Sequence, residues 1–270
     1  MQPLLHIAIA AARAAGNIII RYINKVDSLS VDTKRRNDFV SDVDRMAERE
    51  IINVIRRAHP RHAILAEESG AHGEDDYRWI IDPLDGTTNF LHGFPHYAVS
   101  IALEHKHIPQ LGVVYDPFKE ELFTAFRGAG ATLDSRRIRV SHSQGLSGAL
   151  LGTGIPYRPD QNLDAYLATL KALLPDTAGA RRAGSAALDL AYVACGRLDG
   201  FWEFGLKPWD FAAGALLVQE AGGMVGGMSG GQDFVKTGNV LAGNPKAFKE
   251  MVRALQPHLA DVAKVNQSPA

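Results

Sequence analysis

The spacing of the apolar residues changes along this chain, and that change limits the possible folds more than any other feature. Apolar residues recur every three or four positions from Leu4 to Tyr22 and from Val43 to Ala58, which predicts two amphipathic helices. Ser41 and Asp44 have the spacing of a capping box at the start of the second helix. From Tyr97 to Val140 the pattern instead predicts β-strands.

Strand and helix patterns then alternate towards the carboxyl terminus. The predicted strands are Ala63–Ala66, Arg78–Ile81, Tyr97–Leu103, Leu111–Tyr115, Glu121–Ala125, Leu150–Thr153 and Leu198–Phe204, and the later helices are Asn162–Leu174, Ala186–Cys195, Asp210–Glu220 and Pro245–Leu255. This mixture of elements predicts an α/β protein with stacked layers of helix and sheet. A seam between two lobes is expected near residue 145, and residues 261–270 are expected to form a frayed tail.

The composition narrows the functional class. With 46% hydrophobic and 22% charged residues, the chain is predicted to be a soluble globular protein and not a disordered one. Its net charge of -1 argues against a general attraction to nucleic acid or anionic membrane. No segment is judged long enough to span a membrane, and no secretory signal is recognised, so a cytoplasmic location is expected. The single cysteine, Cys195, excludes an internal disulfide.

The strongest chemical signal is the segment from Trp79 to Phe90, which reads WIIDPLDGTTNF. An apolar strand ends in Asp82, and Asp85 follows three positions later, so the two carboxylates can converge and would repel each other unless a cation neutralises them. Gly86 permits close approach of a ligand, and Thr87 begins what can be a helix, whose first amide groups bind phosphate. A polar turn in which one aspartate caps the following helix is the simpler alternative.

Two further acidic segments favour a metal site over that simpler turn. Glu67 and Glu68 follow a predicted strand, although two solvated loop glutamates would give the same pattern. Asp210 lies at the start of a predicted helix, where its position fits a helix cap and a metal ligand equally well. An all-oxygen set without cysteine or histidine favours Mg²⁺ or Mn²⁺ over zinc.

Three motifs together resemble the inositol monophosphatases, most closely their bacterial SuhB-type members. The motifs are Glu67-Glu68-Ser69, Asp82-Pro83-Leu84-Asp85-Gly86-Thr87-Thr88-Asn89-Phe90, and Trp209-Asp210-Phe211-Ala212-Ala213-Gly214 running on to Glu220-Ala221-Gly222-Gly223. The resemblance covers nearly the whole chain and implies a single inositol-monophosphatase-like domain over residues 1–260. It implies the αβαβα sandwich of the sugar phosphatases, and Mg²⁺-dependent hydrolysis of myo-inositol monophosphate to myo-inositol and phosphate by a metal-activated water.

The resemblance also implies roles for individual residues. Glu67, Asp82 and the Leu84 carbonyl would hold one Mg²⁺ ion, and Asp82, Asp85 and Asp210 a second, with Glu67 beside a third. Thr87 would orient the attacking water, and Asp44 would bond to Thr87. The substrate-binding set would be Gly86, Thr87 and Thr88 for the phosphate, and Asp85, Gly184, Ser185, Ala186, Glu203 and Asp210 for the rest of the substrate. Glu68, Lys34 and Arg182 are further candidates.

Elementary chemistry agrees with this mechanism. A phosphate monoester dianion repels hydroxide, and its uncatalysed hydrolysis is among the slowest reactions known. Metal ions neutralise the dianion, lower the pKa of a bound water and stabilise the leaving alkoxide. Attack by water needs no covalent protein intermediate, so neither Cys195 nor a serine is needed as a nucleophile.

Two alternatives stay open. The substrate can be another phosphomonoester, such as fructose 1,6-bisphosphate, a phosphoadenosine nucleotide or histidinol phosphate, although Glu203 would repel a second phosphate and favours a neutral polyol. The resemblance to SuhB-type proteins also implies a protein partner in the transcription machinery that affects ribosomal RNA synthesis. A homodimer and inhibition by lithium are further expectations from the family.

Overall fold

The structure is a computed structural model that describes residues 3–26, 31–35, 38–156 and 161–263. Its helices are α1 (Pro3–Tyr22), α2 (Asp42–Ala58), α3 (Thr87–Leu91), α4 (Leu163–Leu173), α5 (Ala186–Ala194), α6 (Pro208–Glu220), α7 (Phe234–Thr237), α8 (Pro245–Leu255) and α9 (Leu259–Val262). Its strands are β1 (Val31–Arg35), β2 (Asp38–Ser41), β3 (Ala63–Ala66), β4 (Gly70–His72), β5 (Tyr77–Asp85), β6 (Ala98–His105), β7 (Ile108–Asp116), β8 (Glu121–Phe126), β9 (Gly130–Leu133), β10 (Arg136–Arg137), β11 (Leu150–Thr153), β12 (Gly179–Arg181), β13 (Gly200–Glu203), β14 (Met224–Gly226) and β15 (Val240–Gly243). Most of the tail predicted from the sequence, residues 264–270, lies outside the described residues.

Two sheets contain most of these strands. The first has eight strands in the order β10-β9-β8-β7-β6-β5-β3-β4, and the second has five in the order β12-β11-β13-β15-β14. In the first sheet β3 runs parallel to β5, and the other neighbouring pairs are antiparallel. In the second sheet β11 runs parallel to both β12 and β13. Strands β1 and β2 form a separate antiparallel hairpin.

Helices and sheets alternate in layers. One buried cluster joins α1 and α2 to one face of the eight-stranded sheet. A second cluster fills the space between the two sheets, and α5 and α6 supply most of its helical residues. A third cluster joins α4 and α8 to the outer face of the five-stranded sheet. The order of the layers is therefore αβαβα, which confirms the fold class predicted from the sequence.

The alternation of side chains along a strand explains how each sheet is covered on both faces. In β5, Trp79 and Ile81 belong to the cluster with α1 and α2, whereas Ile80 belongs to the cluster with α5 and α6. In β13, Phe201 belongs to the cluster between the sheets, whereas Trp202 belongs to the outer cluster. Because neither face meets water, these strands read as continuous apolar runs.

Two helix starts show how local sequence sets the element boundaries. Ser41 caps α2, and together with Asp44 it forms both hydrogen bonds of the predicted capping box. Helix α6 differs from its prediction, because it begins at Pro208 and not at Asp210. Proline is favoured in the first turn of a helix, where an N–H group has no intrahelical acceptor. Asp210 therefore lies inside the first turn, and its Oδ2 accepts a hydrogen bond of 2.6 Å from the Lys207 N–H.

One helix contradicts the prediction that no segment is long enough to span a membrane. Helix α1 has 20 residues and a mean hydropathy of 1.5, so by length and composition alone it could cross a bilayer. Its buried residues nevertheless lie in the cluster with α2: Leu5, Ala8, Ala11, Ala12, Ala15 and Ile19. Core helices of soluble proteins pass the same test of length and composition.

Candidate active site

A cavity of about 490 Å³ lies beside the ends of β3, β5 and β13 and the first turn of α6. All the carboxylates predicted to bind metal line it, namely those of Glu67, Asp82, Asp85 and Asp210. The other lining residues are Leu84, Gly86, Thr87, Thr88, His92, Gly154, Ile155, Pro156, Gln161, Arg182, Gly184, Ala186, Glu203, Phe204, Gly205 and Leu206. Residues from distant parts of the chain therefore converge on one space.

The turn after β5 carries the predicted phosphate-binding motif. Gly86 has a φ of +100°, a left-handed conformation that disfavours residues with a side chain. A Cβ at this position would also lie 2.9 Å from the His96 carbonyl oxygen. Helix α3 begins directly after Gly86, and the amide groups of its first turn have no acceptor within the helix. Thr87 and Thr88 on this turn both line the cavity.

Asp82 is a buried carboxylate, with 2% of its surface exposed. Its Oδ1 accepts a hydrogen bond of 3.0 Å from the Leu84 N–H. Burial raises the pKa of Asp82 well above its ordinary value, and the charges of the three neighbouring carboxylates raise it further. A buried anion among like charges is unfavourable unless a positive charge compensates it.

Asp85 connects the end of β5 to the start of α5. Its Oδ2 accepts hydrogen bonds of 2.6 Å from the Ser185 hydroxyl and 2.7 Å from the Ala187 N–H. Burial raises the pKa of Asp85 to about 6, and these two hydrogen bonds oppose the rise. Ser185 also caps α5 by accepting from the Leu188 N–H. The orientation of Asp85 is therefore set by a helix about a hundred positions away in the sequence.

Thr87 is held by α2. Its hydroxyl donates a hydrogen bond of 2.8 Å to Asp44 Oδ1, and the Leu84 carbonyl oxygen lies 3.1 Å from the same hydroxyl. Asp44 Oδ2 accepts bonds of 2.8 and 2.5 Å from the N–H and hydroxyl of Ser41. Burial raises the pKa of Asp44, and the hydrogen bonds from Ser41 and Thr87 oppose the rise. The hydrogen bond expected between Thr87 and Asp44 is thus present.

Glu67 begins the turn between β3 and β4. Its N–H donates a hydrogen bond of 3.1 Å to the Ile81 carbonyl in β5. The next two amide groups, those of Glu68 and Ser69, donate bonds of 2.8 and 2.9 Å to the carboxylate of Glu48. Both ends of this turn are therefore attached to neighbouring elements.

The donor set fits a hard divalent cation. The carboxylates and the Leu84 carbonyl supply oxygen ligands, which Mg²⁺ prefers. In the described part of the chain, no group of three or more His, Cys, Asp or Glu side chains is arranged so that it could hold a metal ion. Asp85 and Asp210 each use Oδ2 for a hydrogen bond within the protein. A cation would compensate the repulsion that raises the pKa of Asp82, so the chemistry of these residues fits such an ion.

The other predicted contacts lie before α5 and at the end of β13. Gly184, Ala186 and Glu203 line the cavity, and so does Arg182. Ser185 is 1% exposed and is not among the residues that line the cavity, and its contact with the substrate stays a prediction. Its hydroxyl is used to hold Asp85 and to cap α5, so it orients a carboxylate without contacting the cavity.

Of the other two further candidates, Glu68 and Lys34, only Glu68 has a described side chain. Glu68 does not line the cavity, and its N–H bonds to Glu48. Lys34 belongs to β1, but its side chain lies outside the described residues. Cys195 is half-buried, and burial raises the pKa of its thiol, which agrees with the expectation that it is no nucleophile.

Sequence comparison decides the family. The model of the inositol monophosphatase family matches residues 1–260. This chain belongs to the inositol monophosphatase family. A relative named Nus factor SuhB, from Pseudomonas aeruginosa, is 56% identical in an alignment of 265 positions, and the match covers 96% of this chain and 98% of that relative.

Solved structures of other family members have the same fold. The crystal structure of the extragenic suppressor protein suhB from Bartonella henselae has a TM-score of 0.92 and 46% identity, and the match covers 94% of this chain and 99% of that one. An inositol monophosphatase from Anabaena has a TM-score of 0.82 and 44% identity, with 94% of this chain and 95% of that one covered.

The structure adds supporting residues that the sequence reasoning missed. Asn89 lies inside the family motif, and its side chain donates hydrogen bonds of 2.7 and 2.8 Å to the carbonyls of His96 and Ala183, which join α3 to the loop before α5. Gly154 leaves the space that the Glu203 carboxylate occupies, and a Cβ there would overlap that carboxylate. No signal in the sequence indicated that contact.

Proposed function

We propose that this protein is a Mg²⁺-dependent phosphatase that hydrolyses myo-inositol monophosphate to myo-inositol and phosphate. One observation carries the proposal: Glu67, Asp82, Asp85 and Asp210 line the same cavity as the turn Gly86–Thr88. Membership of the inositol monophosphatase family supports the same reaction class.

Two or three Mg²⁺ ions would be held by Glu67, Asp82, the Leu84 carbonyl, Asp85 and Asp210, and Mn²⁺ fits the same ligands. When bound, these ions supply the positive charge that neutralises the phosphate dianion and the leaving alkoxide. The high pKa of buried Asp82 supports this assignment, because a cation lowers the cost of ionising that carboxylate.

The side chains of the protein position the reactants. The Thr87 hydroxyl donates a hydrogen bond to Asp44, so the lone pairs of its oxygen can accept a hydrogen bond from the attacking water. The first-turn amides of α3 bind the phosphate oxygens, which Gly86 allows to approach the backbone. Glu203 and the Gly184 and Ala186 region bind the hydroxyl groups of the alcohol.

Glu203 favours a neutral polyol over a bisphosphate, because its carboxylate lines the cavity and repels a second phosphate. Phosphate release from a panel of inositol, sugar and nucleotide phosphates, with and without Mg²⁺, tests the reaction and the substrate together. We expect Mg²⁺-dependent release that is fastest with inositol monophosphates. A strong preference for fructose 1,6-bisphosphate, a phosphoadenosine nucleotide or histidinol phosphate would replace the substrate assignment.

The Asp85→Asn variant tests the site. It removes a charge but little volume, so we expect kcat to fall by about 10²–10³-fold while the unfolding curve changes little. Asp164→Asn, on the exposed side of α4, is the matched control and should keep wild-type activity. Near wild-type turnover by Asp85→Asn would show that this assignment of the metal site is wrong.

A second function concerns transcription. The relative from Pseudomonas aeruginosa is named Nus factor SuhB, which supports a partner in the transcription machinery that affects ribosomal RNA synthesis. A protein partner is favoured over non-specific RNA binding, since the net charge is -1. Rescue of a deletion phenotype by an inactive Asp82→Asn variant would support this function, and failure of rescue despite normal protein levels would count against it.

The remaining family expectations are proposals of the same kind. The protein acts as a cytoplasmic homodimer, and lithium inhibits its phosphatase activity. Mass measurement in solution tests whether the protein is a homodimer. Phosphate release across a lithium titration tests whether lithium inhibits it.

A further inference from the structure

The buried face of α2 carries two carboxylates one helical turn apart, Asp44 and Glu48. Asp44 holds Thr87 on the phosphate-binding turn. Glu48, which is 3% exposed, holds the turn that contains Glu67. A single helix of 17 residues therefore contacts two separate parts of the candidate active site.

Each carboxylate oxygen of Glu48 accepts a hydrogen bond from a different backbone amide. Its Oε2 accepts from the Glu68 N–H at 2.8 Å, and its Oε1 accepts from the Ser69 N–H at 2.9 Å. Two converging N–H donors need two acceptor atoms, and a carboxylate supplies both. One side chain therefore holds two successive amides of this turn.

The backbone of Glu67 is thereby held on both sides. Its own N–H bonds to Ile81 in β5, and the two amides that follow it bond to Glu48. The turn has three residues between Ala66 and Gly70, which pair across the hairpin. A shift of Glu68 or Ser69 would therefore change the direction in which the Glu67 side chain enters the cavity.

We infer that Glu48 is a positioning residue, which aims the carboxylate of Glu67 at the cation site by holding the backbone of the β3–β4 turn. Glu48 touches neither substrate nor cation, since it does not line the cavity. The inference rests on the proposed function, because it needs Glu67 to act as a metal ligand. Residues that orient metal ligands in this way commonly change metal affinity by about 10–100-fold when they are replaced.

The chain offers a matched control. Glu220, at the end of α6, accepts hydrogen bonds of 2.8 Å from each of the Gly128 and Gly130 amides, so its carboxylate holds a different hairpin in the same way. It does not line the cavity. Glu48→Gln and Glu220→Gln both replace one acceptor oxygen with an NH₂ group that faces an N–H donor.

Binding of Mn²⁺ to the full-length protein, measured by calorimetry without substrate, is the main experiment. We expect Glu48→Gln to weaken Mn²⁺ binding by about 10–100-fold and Glu220→Gln to change it by less than about twofold. Hydrogen exchange in the metal-free protein should accelerate at Glu68 and Ser69 in the first variant, and at Gly128 and Gly130 in the second.

A double-mutant cycle separates positioning from a general loss of stability. If Glu48 acts through Glu67, Glu48→Gln should add less than about twofold to the loss of Mn²⁺ affinity already caused by Glu67→Gln. A full additional loss in that background would overturn the inference, as would Mn²⁺ affinity in Glu48→Gln equal to that of wild type. Should Glu48→Gln fail to fold, Glu48→Asp keeps both oxygens on a shorter side chain and is expected to weaken binding in the same direction.

Different results would contradict the proposed phosphatase function and the positioning role of Glu48. A wild-type protein that neither binds Mn²⁺ nor releases phosphate would contradict the proposed function, and the role of Glu48 with it. A wild-type protein that does both, beside a Glu48→Gln variant that binds Mn²⁺ equally well, would contradict the role of Glu48 alone.

Discussion

Single residues of the candidate active site are oriented by buried polar groups from other elements. Ser185 holds Asp85, Asp44 holds Thr87, and Asn89 joins α3 to the loop before α5. A buried polar group that loses its partner costs about 1–3 kcal/mol, so each of these pairs favours one arrangement. Precise placement of the cavity residues therefore depends on side chains outside the reaction itself.

The buried imidazole of His96 predicts how the free energy of unfolding depends on pH. It is buried, and its Nε2 has no hydrogen-bond partner among the described residues. Burial, helped by the positive charge of Lys119, lowers the pKa of His96 to about 4. In the unfolded chain His96 binds this proton near its ordinary pKa of about 6.5. Above that pH His96 is neutral in both states, so it does not lower the free energy of unfolding there.

Between about pH 6.5 and 4 the unfolded state holds the extra proton, and we expect the free energy of unfolding to fall as the pH falls through this range. His96→Phe removes the titration, so the free energy of unfolding of wild type minus that of the variant should decrease as the solution is acidified. Urea unfolding at several pH values measures this. His142→Phe, at an exposed position, is the control, and a difference for His96→Phe that does not depend on pH would contradict the prediction.

At the scale of elements, the start of α8 shows how one buried side chain both caps a helix and attaches it to a neighbouring segment. Asn244 is buried, and its Oδ1 accepts hydrogen bonds of 3.0 Å from the Lys246 and Ala247 amides. Its Nδ2 donates a bond of 3.0 Å to the Ser141 hydroxyl, which lies in the segment between the two sheets. The cap therefore determines where α8 begins and also attaches that connecting segment.

Asn244→Ala should lower the free energy of unfolding by about 1–2 kcal/mol, because it removes the cap and leaves buried donors without an acceptor. Asn162→Ala is the comparison, since Asn162 caps α4 with a single bond to the Ala165 amide and is less buried. Urea denaturation of both variants tests the ranking. Equal losses at the two caps would show that the link from Asn244 to Ser141 contributes nothing measurable.

At the scale of the whole molecule, α5 and α6 pack against both sheets. Leu190 on α5 is fully buried in the cluster that also contains Val114 of the eight-stranded sheet and Phe201 of the five-stranded sheet. Because both sheets share this layer, we expect them to unfold together. The two-lobe seam predicted near residue 145 stays a prediction, and the same measurement addresses it.

Leu190→Ala should cost about 2–5 kcal/mol and shift the unfolding of both sheets by the same amount. Trp79 in the eight-stranded sheet and Trp202 in the five-stranded sheet are natural fluorescence probes, once the other tryptophans are replaced by phenylalanine. Coincident urea transitions for the two probes would agree with one cooperative unit. Separate transitions, with only one shifted by Leu190→Ala, would favour two independent lobes.

The long helices and the buried strands could be predicted because their apolar spacing is visible over many residues. Helix α2 and its capping box are present as expected, and α6 needed a correction only at its first turn. Short strands such as β12, β14 and β15 were missed, since each has three or four residues and exists only where a neighbouring strand supplies its hydrogen bonds.

Much of the candidate site could also be found in the sequence, because Asp82, Asp85 and the turn after them lie in one segment whose chemistry is local. The contacts that were missed join residues far apart in the sequence. Ser185 bonds to a carboxylate a hundred positions away, and Glu48 bonds to amides 20 and 21 positions away.

The sequence by itself determined the periodic helices, the doubly buried strands and the acidic segments that end them, since each depends on neighbours along the chain. Only the tertiary structure decided which oxygen faces which donor: that Glu48 holds the Glu67 turn, and that Ser185 serves Asp85. The physical reason is that a buried hydrogen bond requires atoms within about 3 Å, and folding alone brings distant residues that close.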